Sequence, residues 1–219
     1  MITLPPYSRY YLLLLLFVLT ACTSSTAPIL KIGLAAPFTG QHRAIGYDVL
    51  YSARLAIRDA NATRRLGPYR LVLLPLDDNG DPHQATTTAQ AFAQDPDLVA
   101  VIGHWLPTTT ETASQIYLAN NIPFVHTQQQ SFLSFSSSQL PDSFLDGYAK
   151  TTPFDELAGP YAAPSYDATN LLITALEQLI AQDISLTPLN IIDTLENLSI
   201  TGVSGKTIQS VPLYLNGNQ

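Results

Sequence analysis

Residues 29–127 alternate between two hydrophobic periodicities, and no other feature of the chain constrains its fold as much. Short, nearly continuous apolar runs with the length of buried parallel strands lie at residues 30–36, 69–76, 98–103 and 122–125. Apolar residues recur at helical spacing between these runs. Strands that alternate with helices in this way favour right-handed βαβ units. We therefore predict an α/β fold: an open parallel sheet with helices on both faces.

The helices of this region are predicted from apolar stripes and from their first residues. The first helix has its stripe at Val49, Ala53, Ala56, Ile57 and Ala60. Asp81 followed by Pro82 indicates the N-cap and first position of the second helix, because an aspartate side chain accepts from free helix N–H groups and proline needs no N–H there. Ala113, Ile116 and Tyr117 belong to the third helix.

Residues 128–142 interrupt the pattern with a Gln- and Ser-rich, linker-like stretch. The strongest apolar helix of the chain is predicted from Tyr166 to Ile180. Thr187 and Pro188 then begin another helix, whose predicted stripe consists of Leu189, Ile192, Leu195 and Leu198. The tail predicts a glycine-bearing turn and a strand around residues 211–215.

Composition excludes some classes of function. The formal net charge is −7, and the ten basic residues are scattered, with Arg64 and Arg65 as the only adjacent pair. Nucleic-acid binding needs clustered cations, so we expect no nucleic-acid partner. Cys22 is the only cysteine, which leaves no disulfide framework and no cysteine metal site. We expect no cofactor.

The N-terminal residues indicate export. An apolar run at residues 12–19 fits the core of a signal peptide and is too short to span a bilayer. It ends in Leu19-Thr20-Ala21-Cys22, which resembles the bacterial lipobox, where the cysteine is acylated and becomes the first mature residue. We therefore predict a signal peptide at residues 1–21, lipidation of Cys22 and a polar tether at residues 22–28. The alternative is an ordinary secretory signal with an incidental cysteine.

Seven short motifs occur in order along the chain: residues 32–40 (IGLAAPFTG), 77–85 (DDNGDPHQA), 101–104 (VIGH), 108–110 (TTT), 122–125 (IPFV), 166–168 (YDA) and 202–206 (GVSGK). Together they resemble the branched-chain amino acid (Leu/Ile/Val) substrate-binding family of ABC importers. The resemblance implies a Rossmann-like lobe of a type I periplasmic binding protein. That family has two lobes, joined by hinge strands, and binds its ligand between them.

Most of the second lobe is missing from this pattern. Residues 29–127 correspond to the core of lobe one, residues 128–142 stand where lobe two is expected, and residues 143–219 resemble the part that completes lobe one. Two explanations remain open at the sequence level. Either the gene or its reading is damaged, or a single-lobe protein has been retained for another use.

The resemblance also implies where a ligand would bind. In an open α/β sheet, ligands bind beyond the carboxyl ends of the strands. Thr108 and Thr109 can offer hydroxyls and amides to a carboxylate at a helix N-terminus, although Pro107 stands where the family has a hydroxyl. Gln128 and Gln130 stand after the fourth strand, where the family has a small turn that contacts the ligand. Trp105 stands where the family has an apolar contact to the ligand. A buried position in the core is an equal alternative for this residue.

The resemblance and the N-terminal motif together imply a lipid-anchored, extracytoplasmic solute-binding protein of an ABC importer, reduced mostly to lobe one and located in the periplasm or at the cell surface. Its expected partners are an amino-acid-like solute, bound weakly, and a permease. The alternative is a surface lipoprotein that docks a protein partner. A hydrolase that uses His104 or His126 with Asp77 ranks third, because adjacent strand residues such as Asp77 and Asp78 point to opposite faces and fit turn capping better.

Overall fold

The computed structural model describes residues 27–126 and 139–209. Its helices are α1 (Arg43–Ala62), α2 (Pro82–Ala93), α3 (Pro107–Ala119), α4 (Asp142–Ala149), α5 (Ala162–Ala181) and α6 (Pro188–Asn197). Its strands are β1 (Ile29–Ala36), β2 (Arg70–Asp77), β3 (Leu98–Gly103), β4 (Phe124–His126), β5 (Ser199–Thr201) and β6 (Thr207–Gln209).

The first four strands form one parallel sheet in the order β2-β1-β3-β4. The predicted open parallel sheet is confirmed, with strand boundaries that differ from the prediction by one or two residues. β4 is shorter than predicted, because Ile122 and Pro123 lie before the strand and pairing with β3 begins at Phe124.

Side-chain alternation explains why helices cover both faces of the sheet. In β1, Leu30, Ile32 and Leu34 enter a large core with α1, α5 and α6, and Ala35 enters a second core with α2 and α3. Gly33 faces the second core, where a Cβ would overlap the Phe92 ring. Successive strand residues point to opposite faces, so a strand that is apolar throughout requires two covering layers.

The predicted helix starts are largely confirmed. The Asp81 carboxylate accepts from the Gln84 N–H at 2.9 Å, with Pro82 at the first helical position of α2. The Thr187 hydroxyl accepts from the Asn190 N–H at 3.3 Å at the start of α6. The five predicted stripe residues of α1 are all buried.

The second half of the chain differs in detail from the sequence prediction. α5 begins at Ala162, four residues before the predicted start, because Pro164 lies in its first turn, where a proline is tolerated. α6 buries Ile191 and Leu195, and Leu198 is buried directly after its last residue. Of the predicted stripe, Ile192 is half-buried and Leu189 is 67% exposed. These buried positions follow the i, i+4, i+7 spacing that suits one helix face.

α5 joins the two described stretches of chain into one core. It packs along α1 over much of its length, and Leu171, Leu172 and Leu176 are fully buried against the sheet. Within the described residues, no helix is long and apolar enough to cross a membrane. The strand predicted around residues 211–215 and the start of the predicted linker lie outside the described residues.

Candidate functional site

The carboxyl ends of β1, β2 and β3 lie at one edge of the sheet, where their loops form a polar surface. Asp77, the last residue of β2, organises two of these loops. Its carboxylate accepts from the backbone N–H groups of Phe38 (2.8 Å) and Asn79 (2.8 Å), and from the Thr39 hydroxyl (2.5 Å). The Thr39 hydroxyl also lies 3.0 Å from the Asn79 side-chain oxygen. Asp77 is therefore a loop-organising residue, as its turn-capping assignment predicts.

The loop after β3 presents the N-terminus of α3 at the same edge. Leu106 is the N-cap residue and Pro107 the first helical residue, and the Thr110 N–H is the donor that closes the first helical bond, to the Leu106 carbonyl at 2.9 Å. The N–H groups of Thr108 and Thr109 precede that bond and have no carbonyl within the helix to bond. Free N–H groups at a helix N-terminus attract anions.

The two threonine side chains have different surroundings. Thr108 is exposed, so its hydroxyl faces solvent beside the free N–H groups. Thr109 is fully buried, and its hydroxyl donates to the Leu106 carbonyl at 3.0 Å. Of the two side chains, only that of Thr108 is therefore available to a solute without a rearrangement.

Trp105 is a buried residue of the large core. It is 3% exposed, and its ring packs edge-on against Tyr161 with 6.1 Å between the ring centroids. Tyr161 is held in turn by its N–H, which donates to the Asp48 carboxylate at 3.2 Å. The Trp105 ring thus supports the floor of the carboxyl edge and is not exposed on its surface.

A buried polar network lies directly beneath this edge. His104 Nδ1 is 2.6 Å from Asp78 Oδ2, and His104 Nε2 is 3.0 Å from the Tyr117 hydroxyl; Asp78, His104 and Tyr117 are all fully buried. Both ring nitrogens of His104 therefore have a partner within the network. Burial, and to a smaller degree the Asp78 charge, raise the pKa of the Tyr117 hydroxyl well above its ordinary value.

The network also argues against His104 as the histidine of a hydrolase, the function ranked third from the sequence. His104 is bonded to Asp78 and not to Asp77, and no solvent reaches the imidazole, so it has no access to a substrate. The side chain of His126 lies outside the described residues. Among the described residues, no three His, Cys, Asp or Glu side chains are grouped so that they could hold a metal ion.

Close backbone packing allows this arrangement. Gly103, the last residue of β3, has φ = +133°, and a Cβ there would overlap the carbonyl of Ala35 in β1. Only glycine is readily accommodated at such a position. The following residue, His104, is thereby directed beneath the loops towards Asp78.

The chain was compared with known proteins on this structural basis. Residues 29–141 match the family described as periplasmic binding proteins. The chain belongs to this family. The match covers all four parallel strands and the loops of the carboxyl edge.

Two relatives of the family illustrate the similarity. An amino acid binding protein of Pseudomonas aeruginosa is 31% identical over 86 residues, which are 39% of this chain and 23% of the relative. A Leu/Ile/Val-binding protein homologue of Brucella abortus is 32% identical over 91 residues, 42% of this chain and 24% of the relative. The matched part of the chain thus spans about a quarter of the length of these relatives.

Solved structures show the same fold at lower identity. The branched-chain amino acid transporter substrate binding protein LivJ of Streptococcus pneumoniae, in complex with isoleucine, aligns with a TM-score of 0.68 and 12% identity, over 81% of this chain and 91% of that one. A substrate-binding protein of Desulfitobacterium hafniense in complex with Leu aligns with a TM-score of 0.62 and 14% identity, over 84% of this chain and 96% of that one.

The structure brings together only part of the site predicted from sequence. Trp105, Thr108 and Thr109 lie in one loop and helix start, with Trp105 below the surface. Gln128, Gln130 and Cys22 lie outside the described residues. Sequence reasoning did not include Thr39 and Asn79, although the glycine-ended loop after β1 and the Asp-Asp-Asn-Gly turn after β2 were visible signals of polar loops at this edge.

Proposed function

We propose that the chain is a lipid-anchored, extracytoplasmic solute-binding protein that serves an ABC importer and carries mostly one lobe of the fold. The observation that carries this proposal is the polar carboxyl edge of a family-typical sheet, with the free N–H groups and the exposed hydroxyl at the start of α3. This arrangement suits the carboxylate of an amino acid or a similar small acid. Relatives named as amino acid or Leu/Ile/Val-binding proteins support the same class of solute.

The proposal of a single lobe rests on the short connection between the two described stretches. β4 ends at His126 and α4 begins at Asp142, which leaves fifteen residues, 127 to 141, between them. A domain needs at least about 50 residues. We therefore propose that these residues replace a second lobe, and that the C-terminal helices complete the first one.

Solute binding at α3 can be tested with one matched pair of variants. Thr108→Val removes the exposed hydroxyl and keeps the shape of the side chain. Thr112→Val, one turn further along the helix, removes a hydroxyl that is already bonded within the helix, to the Thr108 carbonyl at 2.9 Å. Saturation-transfer NMR with a panel of amino acids detects weak binding. We expect Thr108→Val to weaken it about tenfold or more, as the loss of one hydrogen bond to a charged group implies, and Thr112→Val to leave it unchanged. Equal signals from both variants would place the solute elsewhere.

Anchoring is tested at Cys22. We expect Cys22→Ala to abolish incorporation of a radiolabelled fatty acid and to leave the protein uncleaved or released from the membrane fraction. Wild-type protein that takes up no label would show that the cysteine is incidental.

The alternative function, docking of a protein partner, has one observation in its favour. Phe154 is 83% exposed and Leu157 is 90% exposed, in the segment that leads to Tyr161 at the carboxyl edge. Large apolar side chains at this exposure suit a protein interface. If Phe154→Ser combined with Leu157→Ser abolished association with the permease or another membrane protein while the solute signals were kept, the segment would be the docking element.

A further inference from the structure

A basic groove lies at the opposite end of the sheet from the candidate site. It is about 880 Å³ in volume and runs between the C-terminal half of α1 and the outer side of β2. Its charged lining consists of Arg54, Arg58, Arg64 and Arg70, all exposed, and none of the described acidic residues lines it. The groove therefore concentrates four of the ten basic residues of a chain whose net charge is −7.

Most of this positive charge is not neutralised by neighbouring side chains. Arg58 pairs with Asp59 at 3.1 Å, in a contact about half exposed on both sides. Among the described residues, no carboxylate lies within ion-pair distance of Arg54, Arg64 or Arg70. A neighbouring arginine shows the contrast: Arg65 points the other way and is bonded to Glu177 at 2.6 Å. The groove thus has a local positive potential in an acidic molecule.

β2 contributes a second feature to this surface. It is the edge strand of the sheet, so the backbone groups on its outer side have no strand partner in the described residues. Edge strands are commonly protected by charged side chains. The side chain of Asn61 also bonds both the N–H and the carbonyl of Leu71 in this strand, each at 2.9 Å, so these groups are not open to an added peptide strand. The four arginines favour an anionic partner instead.

The short distance between the groove and the predicted lipidation site indicates which anionic partner the groove would meet. Ala27, which directly precedes the sheet, lines the groove. It is five residues from Cys22, the predicted lipidation site, a separation of at most about 18 Å of extended chain. A lipid-anchored chain would therefore hold this groove close to the phospholipid headgroups.

We propose that the groove between α1 and β2 binds the anionic headgroups of the membrane to which the chain is anchored. This inference rests on the proposed lipidation of Cys22, which brings the groove to the surface. Because the net negative charge of the molecule opposes adsorption to an anionic surface, attraction through the four arginines fixes one orientation. The candidate solute site, at the carboxyl ends of the strands, then faces away from the bilayer surface.

The test uses the intact chain attached to vesicles, with a cysteine placed in the groove. Ala62→Cys lies in the groove at the end of α1, and Ala44→Cys is the matched control, exposed in the first turn of the same helix. Labelling by a membrane-impermeant maleimide is followed at each site by mass spectrometry. Vesicles consist of phosphatidylcholine alone or of an equimolar mixture with phosphatidylglycerol.

We expect labelling at Ala62→Cys to be at least about tenfold slower on the phosphatidylglycerol vesicles, and labelling at Ala44→Cys to be the same on both. Each arginine near an anionic surface contributes about fivefold to the docking equilibrium. Arg54→Gln with Arg64→Gln and Arg70→Gln should therefore remove the protection, as should roughly 1 M salt, at which the Debye length is only ~3 Å. Arg43→Gln with Lys150→Gln and Lys206→Gln, the same charge change outside the groove, should leave it intact.

Three outcomes would overturn the proposal. Equal labelling on the two kinds of vesicle would show that headgroup charge plays no role. Protection that grows with protein density on phosphatidylcholine would indicate a second copy of the chain in the groove. Protection that survives the triple groove variant would exclude the arginines. Failure of the anchor itself is separate, because it appears as maleimide labelling of Cys22 and loss of protein from the vesicles.

Discussion

The carboxyl and amino ends of the same four strands offer opposite chemistry. At the carboxyl end, internal hydrogen bonds hold the loops in place, because Asp77 accepts from both neighbouring loops and Thr109 donates to Leu106. The N–H groups of Thr108 and Thr109 remain free there. At the amino end, Arg64 and Arg70 are exposed without a carboxylate partner among the described residues. One end is a fixed arrangement of donors and acceptors, and the other carries exposed positive charge.

This difference corresponds to two kinds of recognition. A small solute is discriminated by donors that are already in position before it arrives, because little entropy is then lost on binding. A membrane surface presents many equivalent headgroups. Its attraction for a protein therefore depends more on the number of positive charges than on their exact arrangement. The fold can therefore serve both proposed contacts without competition between them.

The largest expected effect tests the core on which both ends rest. Leu172 in α5 is fully buried beneath the sheet, and Leu172→Ala should lower the free energy of unfolding by ~2–5 kcal/mol through the cavity it leaves. Leu189→Ala, at a residue 67% exposed on α6, should change it by less than about 0.5 kcal/mol. Urea denaturation measures both. An unchanged stability of Leu172→Ala would mean that α5 does not join the two ends into one unit.

The next effect depends on pH. Burial raises the pKa of the Asp167 carboxyl to about 6, and the N–H of Val203 offsets part of this shift. Asp167 Oδ2 has no hydrogen-bond partner among the described residues, so the charged form is disfavoured in the folded state. A folded pKa above the unfolded value favours folding at low pH. The contribution of this carboxyl is fully present below about pH 4 and is lost as the pH rises through 6, by about 2–3 kcal/mol.

Asp167→Asn isolates that contribution. The variant should lose this part of the pH dependence between about pH 4 and 6, and at neutral pH it should be at least as stable as the wild type. Thermal unfolding across this range measures it. A variant that keeps the full wild-type pH dependence would assign the titration to another group, and Asp48, whose pKa burial also raises, would be the next candidate.

A smaller effect distinguishes fixed loops at the carboxyl end from flexible ones. Asp77→Ala removes the acceptor of two loops and should lower the free energy of unfolding by about 1–2 kcal/mol, since the site is half-buried and water replaces part of the bonding. Asp77→Asn keeps an oxygen for the N–H groups of Phe38 and Asn79 and should cost less. Hydrogen exchange of residues 38–40 should increase in the alanine variant alone; unchanged exchange would show that the loops do not depend on this carboxylate.

Local patterns predicted much of the fold. The four strands were predictable because each is a continuous apolar run. The two helix starts at Asp81-Pro82 and Thr187-Pro188 were predictable because a cap residue bonds to an N–H only three residues later in the sequence. α4 was missed because it is short and directly follows the linker-like stretch, and only Phe144 and Tyr148 of its residues are buried. Leu189 was assigned to a buried stripe because spacing alone does not show which helix face meets α5.

The candidate site was less predictable because its contacts cross the sheet. Asp78 and His104 follow β2 and β3, which are separated by β1, and their bond becomes visible only when strand order and the close approach at Gly103 are known. The position of Trp105 below the surface likewise depends on Tyr161, more than fifty residues later in the chain. A single sequence contains the residues but not these distances.

Isothermal titration of the protein with a panel of amino acids tests most directly the claim that one lobe provides a solute site at the carboxyl edge. A single lobe offers the N–H groups of Thr108 and Thr109 but cannot enclose the ligand, so water competes for each contact and no closure free energy is gained. We expect a dissociation constant of around 1 mM or weaker, equivalent to at most ~4 kcal/mol. Micromolar binding by the monomer would contradict this, and would show that the single lobe is a complete binding site.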